Sequence, residues 1–426
     1  MFKNYKSLLL YFFCLLLITF TFVISFTKSY ADDLEFCEDD PGLSSNNICV
    51  SSSDIIPEIN SRSAIVIDRN SDTILYGKNQ YVKVKMASTT KIMTSTIIIE
   101  NCNLDDYVIV SKKAANTGGS RLGLKVSDKV KVIDLLYGLM LCSGNDAAVA
   151  LAEYCSGSVN DFANLMNKKA QELNLLNTHF ETPHGLDSDN HYTTAYELAT
   201  LSNYALKNTT FNKLVGTKQT TIYINNNPKQ ITNTNELLDN LNGVYGIKTG
   251  FTNGANRCLV TSCKRNDLDI ICVVLGADTK KFRTTDSIKL IEYCYANFSV
   301  TNISDLINNS FNEWKSKYLP SFILYKSSNN VSDLNIKLRN SSQILIPIKN
   351  SSKDSLVTSI TCQDYIKAPR ASNTKLGEIA IQLNNNIIAK NDIILDTPIF
   401  KKTIYDYFLE IFKIYSNYNF EKYQFQ

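Results

Sequence analysis

Met86-Ala87-Ser88-Thr89-Thr90-Lys91-Ile92-Met93-Thr94 places a serine three positions before a lysine. On a helix that spacing puts both side chains on one face. A serine hydroxyl is a poor nucleophile near neutral pH and needs a base in contact. A lysine serves when burial or a neighbouring cation lowers its pKa. A helix N-terminus at Ser88 would also favour a developing oxyanion. Taken alone the pattern is weak, because Ser25-Phe26-Thr27-Lys28 repeats it inside an apolar leader. Local propensity even points away from a helix, since the Ile- and Thr-rich run after Lys91 reads as strand.

Two further elements stand downstream. Val130 to Cys155 has helical spacing, with Leu135, Leu136, Leu139 and Met140 on one side of a first segment and an Ala-rich second segment from Asp146 to Tyr154. Ser143-Gly144-Asn145 lies at their junction, where a hydroxyl and an amide could relay a proton and hold a substrate carbonyl. The plainer reading is a helix-breaking turn with a capping serine. A rival match, Ser188-Asp189-Asn190, lies in a polar loop, whereas Ser143 lies between segments expected to be buried, which favours Ser143. The third element, Lys248-Thr249-Gly250, sets a cation, a hydroxyl and a residue without a side chain on one strand edge. That suits a carboxylate ligand and a close backbone approach. Ser-x-x-Lys, Ser-x-Asn and Lys-Thr-Gly in this order, 55 and 105 positions apart, are far more specific than any one of them.

The chain has 426 residues, 44 Lys+Arg against 41 Asp+Glu, a net charge of +3 and 44% apolar residues. A globular protein of more than one domain follows, and a disordered polyelectrolyte or a dedicated nucleic-acid binder does not. Lys3 and Lys6 precede the apolar stretch Leu8 to Phe26, and Ser29-Tyr30-Ala31 offers small residues for cleavage, so residues 1–31 read as an export signal. An uncleaved membrane helix is the alternative. Residues 32–57 are acidic and Ser/Asn-rich, as in a linker. Within them Cys37 and Cys49 bracket a Pro41-Gly42 turn and could pair; most of the other cysteines, scattered singly, read as small buried hydrophobes.

Ser63 to Asp68 and Thr73 to Tyr76 read as a hairpin opening a domain over 58–298, and Ile270 to Leu275 as its buried central strand. Residues 299–400 alternate in short stretches and read as an all-β domain, with a hairpin over Gly377 to Leu383 and Asn385 to Ile388. Residues 401–426 hold an amphipathic helix, with Ile404, Phe408, Ile411, Phe412 and Tyr415 on one face and Asp406, Glu410, Lys413 and Asn417 on the other. It reads either as a helix packed on the β domain or as an interfacial membrane anchor.

The motifs together make the chain resemble the low-molecular-mass penicillin-binding proteins that are serine-type D-alanyl-D-alanine carboxypeptidases, on the fold shared with serine β-lactamases. Leu141-Cys142-Ser143-Gly144-Asn145-Asp146-Ala147-Ala148, Pro183-His184-Gly185-Leu186 and Gly246-Ile247-Lys248-Thr249-Gly250-Phe251-Thr252 extend the match. The resemblance implies an α+β (α/β) domain, an antiparallel sheet flanked by helices, and a small all-β C-terminal domain. It implies Ser88 as nucleophile on the penultimate D-Ala carbonyl, Lys91 as its base and Ser143 as proton relay to the departing amine. Asn145 would hold the peptide backbone, Lys248 and Thr249 the terminal carboxylate, and the backbone N–H groups of Ser88 and Phe251, beside Gly250, the oxyanion. The substrate would be the peptidoglycan stem peptide, with β-lactam antibiotics acylating the same serine, outside the cytoplasm and with no cofactor. Vegetative wall trimming and spore-cortex maturation both remain open to such an enzyme.

Asn256 stands where relatives often carry glycine, and Cys142, expected to be buried and inert, adjoins the proton relay. His179, His184 and His191 cluster near Asp187 and Asp189, but their spacing fits no metal-ligand pattern, and His184 belongs to the family-like stretch. A β-lactamase would use Glu236 to Asn240 as its deacylating Glu-x-x-x-Asn, yet Asn240 lies only eight positions before Lys248, too near for a separate loop. An endopeptidase shares the motifs, and a catalytically silent wall-binding scaffold would not need Ser88, Lys91, Ser143 and Lys248 intact.

Overall fold

The computed structural model describes residues 55–423. The expected export signal, the Cys37–Cys49 pair and most of the acidic linker lie outside them. The chain divides into two compact units between Ala296 and Asn297.

In the first unit the described residues form a five-stranded antiparallel sheet. Its strands are β1 (Ser63–Asp68), β2 (Ile74–Lys78), β3 (Val244–Thr252), β4 (Asn256–Arg265) and β5 (Leu268–Ala277), in the order β2-β1-β5-β4-β3. The expected hairpin is β1–β2, and the Ile270 to Leu275 run is the middle strand, buried along its whole length. Strands buried on both faces need continuous apolar runs rather than alternation. One face carries Ile65, Ile67, Ile271, Val273 and Leu275 into the main core. A long helix, Lys280–Asn297, reaches the sheet through Tyr295, whose hydroxyl donates to the Cys263 and Leu268 carbonyls at 2.8 and 3.3 Å.

Three helices build the site: α1 (Lys91–Asn101), α2 (Val132–Leu141) and α3 (Asn145–Ser156). In α1 every residue from Lys91 to Ile98 is buried, so packing on all sides overrides the strand propensity of its Ile/Thr run. Its hydroxyls do not orphan the backbone: Thr96 donates to the Ile92 carbonyl at 2.7 Å and Thr94 to the Pro183 carbonyl at 2.6 Å.

The second unit is mostly strands, with a four-stranded antiparallel sheet whose central pair, Lys375–Leu383 and Asn386–Leu395, is the expected hairpin. It also holds a helix, Ile303–Tyr318, that the sequence reading had not expected. Ile303, Ile307 and Phe311 recur at four-residue spacing and enter the unit's core, while its Asn, Ser and Lys residues mask that period in composition. The C-terminal helix Ile404–Tyr423 forms as expected, but it is not packed on the β domain along the stretch whose side chains are described. Ile404, Phe408, Ile411, Phe412, Ile414 and Tyr415 are all 61% or more exposed. No helix among the described residues is long and apolar enough to cross a membrane.

Candidate active site

Ser88 sits in a single 3-10 turn, Ala87–Thr90, that runs directly into α1. The turn starts from Ala87 at φ 48°, a left-handed conformation that costs an L-residue roughly 1–2 kcal/mol. The surroundings hold it there. Thr90 Oγ1 donates to the Ala87 carbonyl at 2.8 Å and is itself 2.8 Å from His191 Nε2. His191 Nδ1 accepts from the Glu181 N–H at 3.0 Å, which puts the ring proton on Nε2 and makes His191 the donor to Thr90. Gly185 lies against the same carbonyl, where a Cβ would come within 2.0 Å of Ala87 O. The Pro-His-Gly-Leu stretch is therefore the backing of the nucleophile turn.

Lys91 is fully buried, and its Nζ donates to Ser88 Oγ at 2.7 Å, Asn145 Oδ1 at 2.7 Å and the His184 carbonyl at 2.9 Å. The three bonds converge from three chain segments and aim the ammonium at the hydroxyl. His184 is buried and faces the Lys91 charge; burial first, then that charge, pushes its imidazole down to about 3. Burial likewise pushes His191 down to about 4, so both rings are neutral at physiological pH.

Ser143 occupies the junction of α2 and α3 at φ 59° and is 7% exposed. The next residues explain why the junction is rigid. Asp146 accepts the backbone N–H groups of Leu122, Gly123 and Leu124 at 2.8–3.0 Å, and the Asn145 N–H donates to the Ser120 carbonyl at 2.8 Å. A carboxylate at the first turn of α3 is also favoured by the helix dipole. Gly144 has no room for more, since a Cβ there would lie 2.9 Å from Asp146 Oδ1.

Strand β3 brings the third motif against the nucleophile. A Cβ on Gly250 would sit 3.1 Å from the Ser88 nitrogen and 3.2 Å from the Thr89 nitrogen, so glycine allows this strand to lie on the turn. Thr249 Oγ1 is 2.8 Å from Thr234 Oγ1, and Lys248, 1% exposed, donates to the Thr249 carbonyl at 3.0 Å. The Arg257 guanidinium stacks 3.9 Å over the Phe251 ring, a cation–π contact that steadies the strand beyond Gly250.

Ser88, Ser143, Thr249, Gly250 and Phe251 line one cleft of about 260 Å³, together with Ser120, Arg121, Cys142 and Thr234. Lys91, Asn145 and Lys248 are buried beside the lining residues, Lys91 bonded to Ser88 and Lys248 to the Thr249 carbonyl. Ser143 is among the lining residues and Ser188 is not. Asn145, expected to hold the peptide backbone, accepts from Lys91 at Oδ1 and donates from Nδ2 to the Gly118 carbonyl at 2.8 Å. Cys142 departs from expectation. Its thiol is half-buried at the cleft wall, with burial raising its pKa. Asn256 is left-handed at φ 58°, a conformation asparagine tolerates better than most residues, which explains its standing in for glycine.

Sequence reasoning missed Ser120, Arg121 and Thr234, and singled out His191 only as one of a cluster of three histidines. None carries a motif of its own; each is brought in by a loop whose ends are fixed elsewhere. Glu236 is committed away from any deacylating role, paired with Lys280 and Arg283, each at 3.2 Å, and bonded by Thr284. Among the described residues no group of three or more His, Cys, Asp or Glu could hold a metal ion.

The family model for D-alanyl-D-alanine carboxypeptidase matches residues 50–279, and that for the penicillin-binding protein 5 C-terminal domain matches residues 324–401. The D-alanyl-D-alanine carboxypeptidase DacF of Bacillus subtilis is 32% identical over 349 residues, 78% of this chain and 84% of its own. Penicillin-binding protein 5 of Haemophilus influenzae superposes with a TM-score of 0.66 at 28% identity, covering 82% of this chain and all of that one. The Streptomyces K15 DD-transpeptidase superposes with a TM-score of 0.55 at 34% identity, over 57% of this chain and 99% of its own.

Proposed function

The chain belongs to the D-alanyl-D-alanine carboxypeptidase family, and from that premise we propose a residue-level mechanism for the removal of the terminal D-Ala from peptidoglycan stem peptides. The observation that carries it is the buried Lys91 Nζ at 2.7 Å from Ser88 Oγ, whose residue lines the cleft. Ser88 Oγ attacks the carbonyl of the penultimate D-Ala while Lys91, in its neutral amine form, takes the hydroxyl proton and becomes the ammonium. The backbone N–H groups of Ser88 and Phe251 hold the oxyanion, an arrangement that Gly250 makes room for. Ser143 passes a proton to the departing D-Ala amine, and water then hydrolyses the ester on Ser88. The Thr249 hydroxyl, supported by Thr234, contacts the terminal carboxylate, and the Lys248 charge beneath attracts it. Asn145 acts here by keeping Lys91 aimed at Ser88. Penicillins acylate the same serine.

The reading extends to the whole chain. Residues 1–31 export it, 32–57 form a linker, 58–298 are the catalytic domain and 299–400 the second domain. The helix beyond residue 401 lies on the outer face of the cytoplasmic membrane, supported by its exposed Ile, Phe and Tyr residues. A β-lactamase is disfavoured by the ion pairs that occupy Glu236.

The test uses protein from residue 32 onward, fluorescent penicillin, and D-Ala release from a diacetylated Lys-D-Ala-D-Ala peptide. Labelling and release that are both lost in Ser88→Ala support the mechanism. Labelling without release would favour endopeptidase action, and absence of labelling would remove Ser88 as nucleophile.

A further inference from the structure

Two cysteines that the catalytic reading does not use stand at matching positions on the helices that carry it. Lys91 is the first residue of α1 and Asn145 the first of α3, and their side chains are joined at 2.7 Å. Cys102 caps the far end of α1, its N–H bonded to the Ile98 carbonyl at 3.0 Å, and Cys155 is the penultimate residue of α3. At 1.5 Å per residue these lie about 16 Å and about 15 Å along their helices from the joined ends. The two helices pack on each other, and helices of similar length that start together and stay in contact bring their far ends near one another. Consistent with this, each of the Cys102 and Cys155 thiols is the largest influence on the pKa of the other. Both are half-buried, packed against the main core yet open to a small reagent, whereas Cys258, Cys263, Cys272 and Cys294 are buried.

We propose that Cys102 and Cys155 form an intramolecular disulfide when the protein meets a disulfide oxidant such as oxidised glutathione or a protein dithiol oxidase. The cross-link fastens α1 to α3 at the end opposite the Lys91–Asn145 bond. Cys155, as thiolate, attacks one sulfur of the oxidant; that S–S bond breaks, a mixed disulfide forms on Cys155 and the first oxidant thiolate leaves. Cys102 then attacks the Cys155 sulfur, its proton going to the second departing thiolate. Two protein thiols are oxidised and one oxidant disulfide is reduced to two thiols. The contact itself favours this order: accepting a hydrogen bond from Cys102 lowers the pKa of Cys155, and Cys102 keeps its proton until it attacks. The closed loop would hold 53 residues beyond Cys102, long enough to restrict the unfolded chain substantially.

The experiment starts from fully reduced chain from residue 32, titrated with oxidised glutathione, alkylated, and read by intact mass and peptide mapping. Penicillin labelling is measured on the same samples. The expected result is loss of two hydrogens, a linked Cys102–Cys155 peptide, and a melting temperature raised by roughly 5–10 °C over the reduced form. Cys102→Ser is expected to stop at a glutathione adduct on Cys155. Alkylation of both cysteines at every oxidant ratio, linkage of other pairs, or a glutathione adduct persisting in the unmutated chain would each overturn the proposal. Cross-linking without penicillin labelling would sink the catalytic assignment alone, and labelling without cross-linking this one alone.

Discussion

Thr90→Val tests whether the nucleophile turn is held from behind. Valine keeps the volume and removes one hydroxyl, which in the structure joins the His191 Nε2–H to the Ala87 carbonyl through two 2.8 Å contacts. Both partners are buried, and leaving a buried donor or acceptor unmatched costs about 1–3 kcal/mol each, so a loss of about 3 kcal/mol in stability is expected. For a domain of this size that lowers the melting temperature by roughly 6–12 °C. A second effect falls on rate. Ala87 holds φ 48° against its own preference, and release of roughly 1–2 kcal/mol lets the turn relax away from the geometry that presents Ser88. One factor of ten corresponds to 1.36 kcal/mol, so the second-order rate of acylation by fluorescent penicillin should fall about ten-fold. His191→Leu and the double variant complete a cycle. The double variant should be less damaged than the two single losses combined, because each single change strands the other's partner. A Thr90→Val protein that melts within about 1 °C of the parent and acylates at the parental rate, or a cycle that is strictly additive, would refute the bracing argument.

The buried imidazoles make stability depend on pH. With His191 lowered to about 4 from 6.5, the unfolded chain binds the proton first, so its contribution is full above 6.5 and disappears as pH falls toward 4; it is on the order of 3 kcal/mol. Urea titrations across that window should show it, and a flat midpoint would contradict it. Lys91→Met, or Asn145→Ala to a smaller degree, should lower D-Ala release by about 10²-fold or more with the fold kept, as read by circular dichroism and kcat. Gly250→Ala pushes a methyl to 3.1 Å from the Ser88 nitrogen, so acylation should fall about ten-fold while melting changes little; unimpaired acylation would mean β3 does not set the oxyanion donors. Replacing Phe408, Ile411 and Phe412 by Glu should abolish sedimentation with phospholipid vesicles and leave D-Ala release unchanged.

The sequence carried much of the fold because its sheet is built from runs whose burial is written in the residues. β1 and β5 are buried along their whole lengths and carry the continuous apolar runs Ala64 to Ile67 and Ile270 to Leu275, as strands covered on both faces require. It carried less where a tertiary surrounding decides the local structure. Nothing local makes Lys91–Asn101 a helix; burial on every side does, with the threonine hydroxyls turned back onto carbonyls. The helix Ile303–Tyr318 was hidden for the opposite reason, a correct period diluted by polar residues.

The site divides along the same line. Ser88, Ser143, Thr249, Gly250 and Phe251 were legible because each belongs to a motif whose chemistry requires its spacing, and they meet in one cleft. Arg121 and Thr234 were not, and His191 was legible only as a member of a histidine cluster, because a loop residue acquires its position from whatever pins the loop. For Arg121 the pin is Asp146, which gathers three consecutive N–H groups from Leu122 to Leu124 and so sets the cleft wall from α3. For His191 it is the Glu181 N–H, which settles the ring's proton and turns it toward Thr90. Asn145 shows what a motif alone leaves open. Its Oδ1 accepts from Lys91 and its Nδ2 donates to the Gly118 carbonyl, two partners that the spacing of the motif does not specify. The Lys91 ammonium thus takes its direction from three segments far apart in sequence, and its alignment with Ser88 is a property of the folded core as a whole.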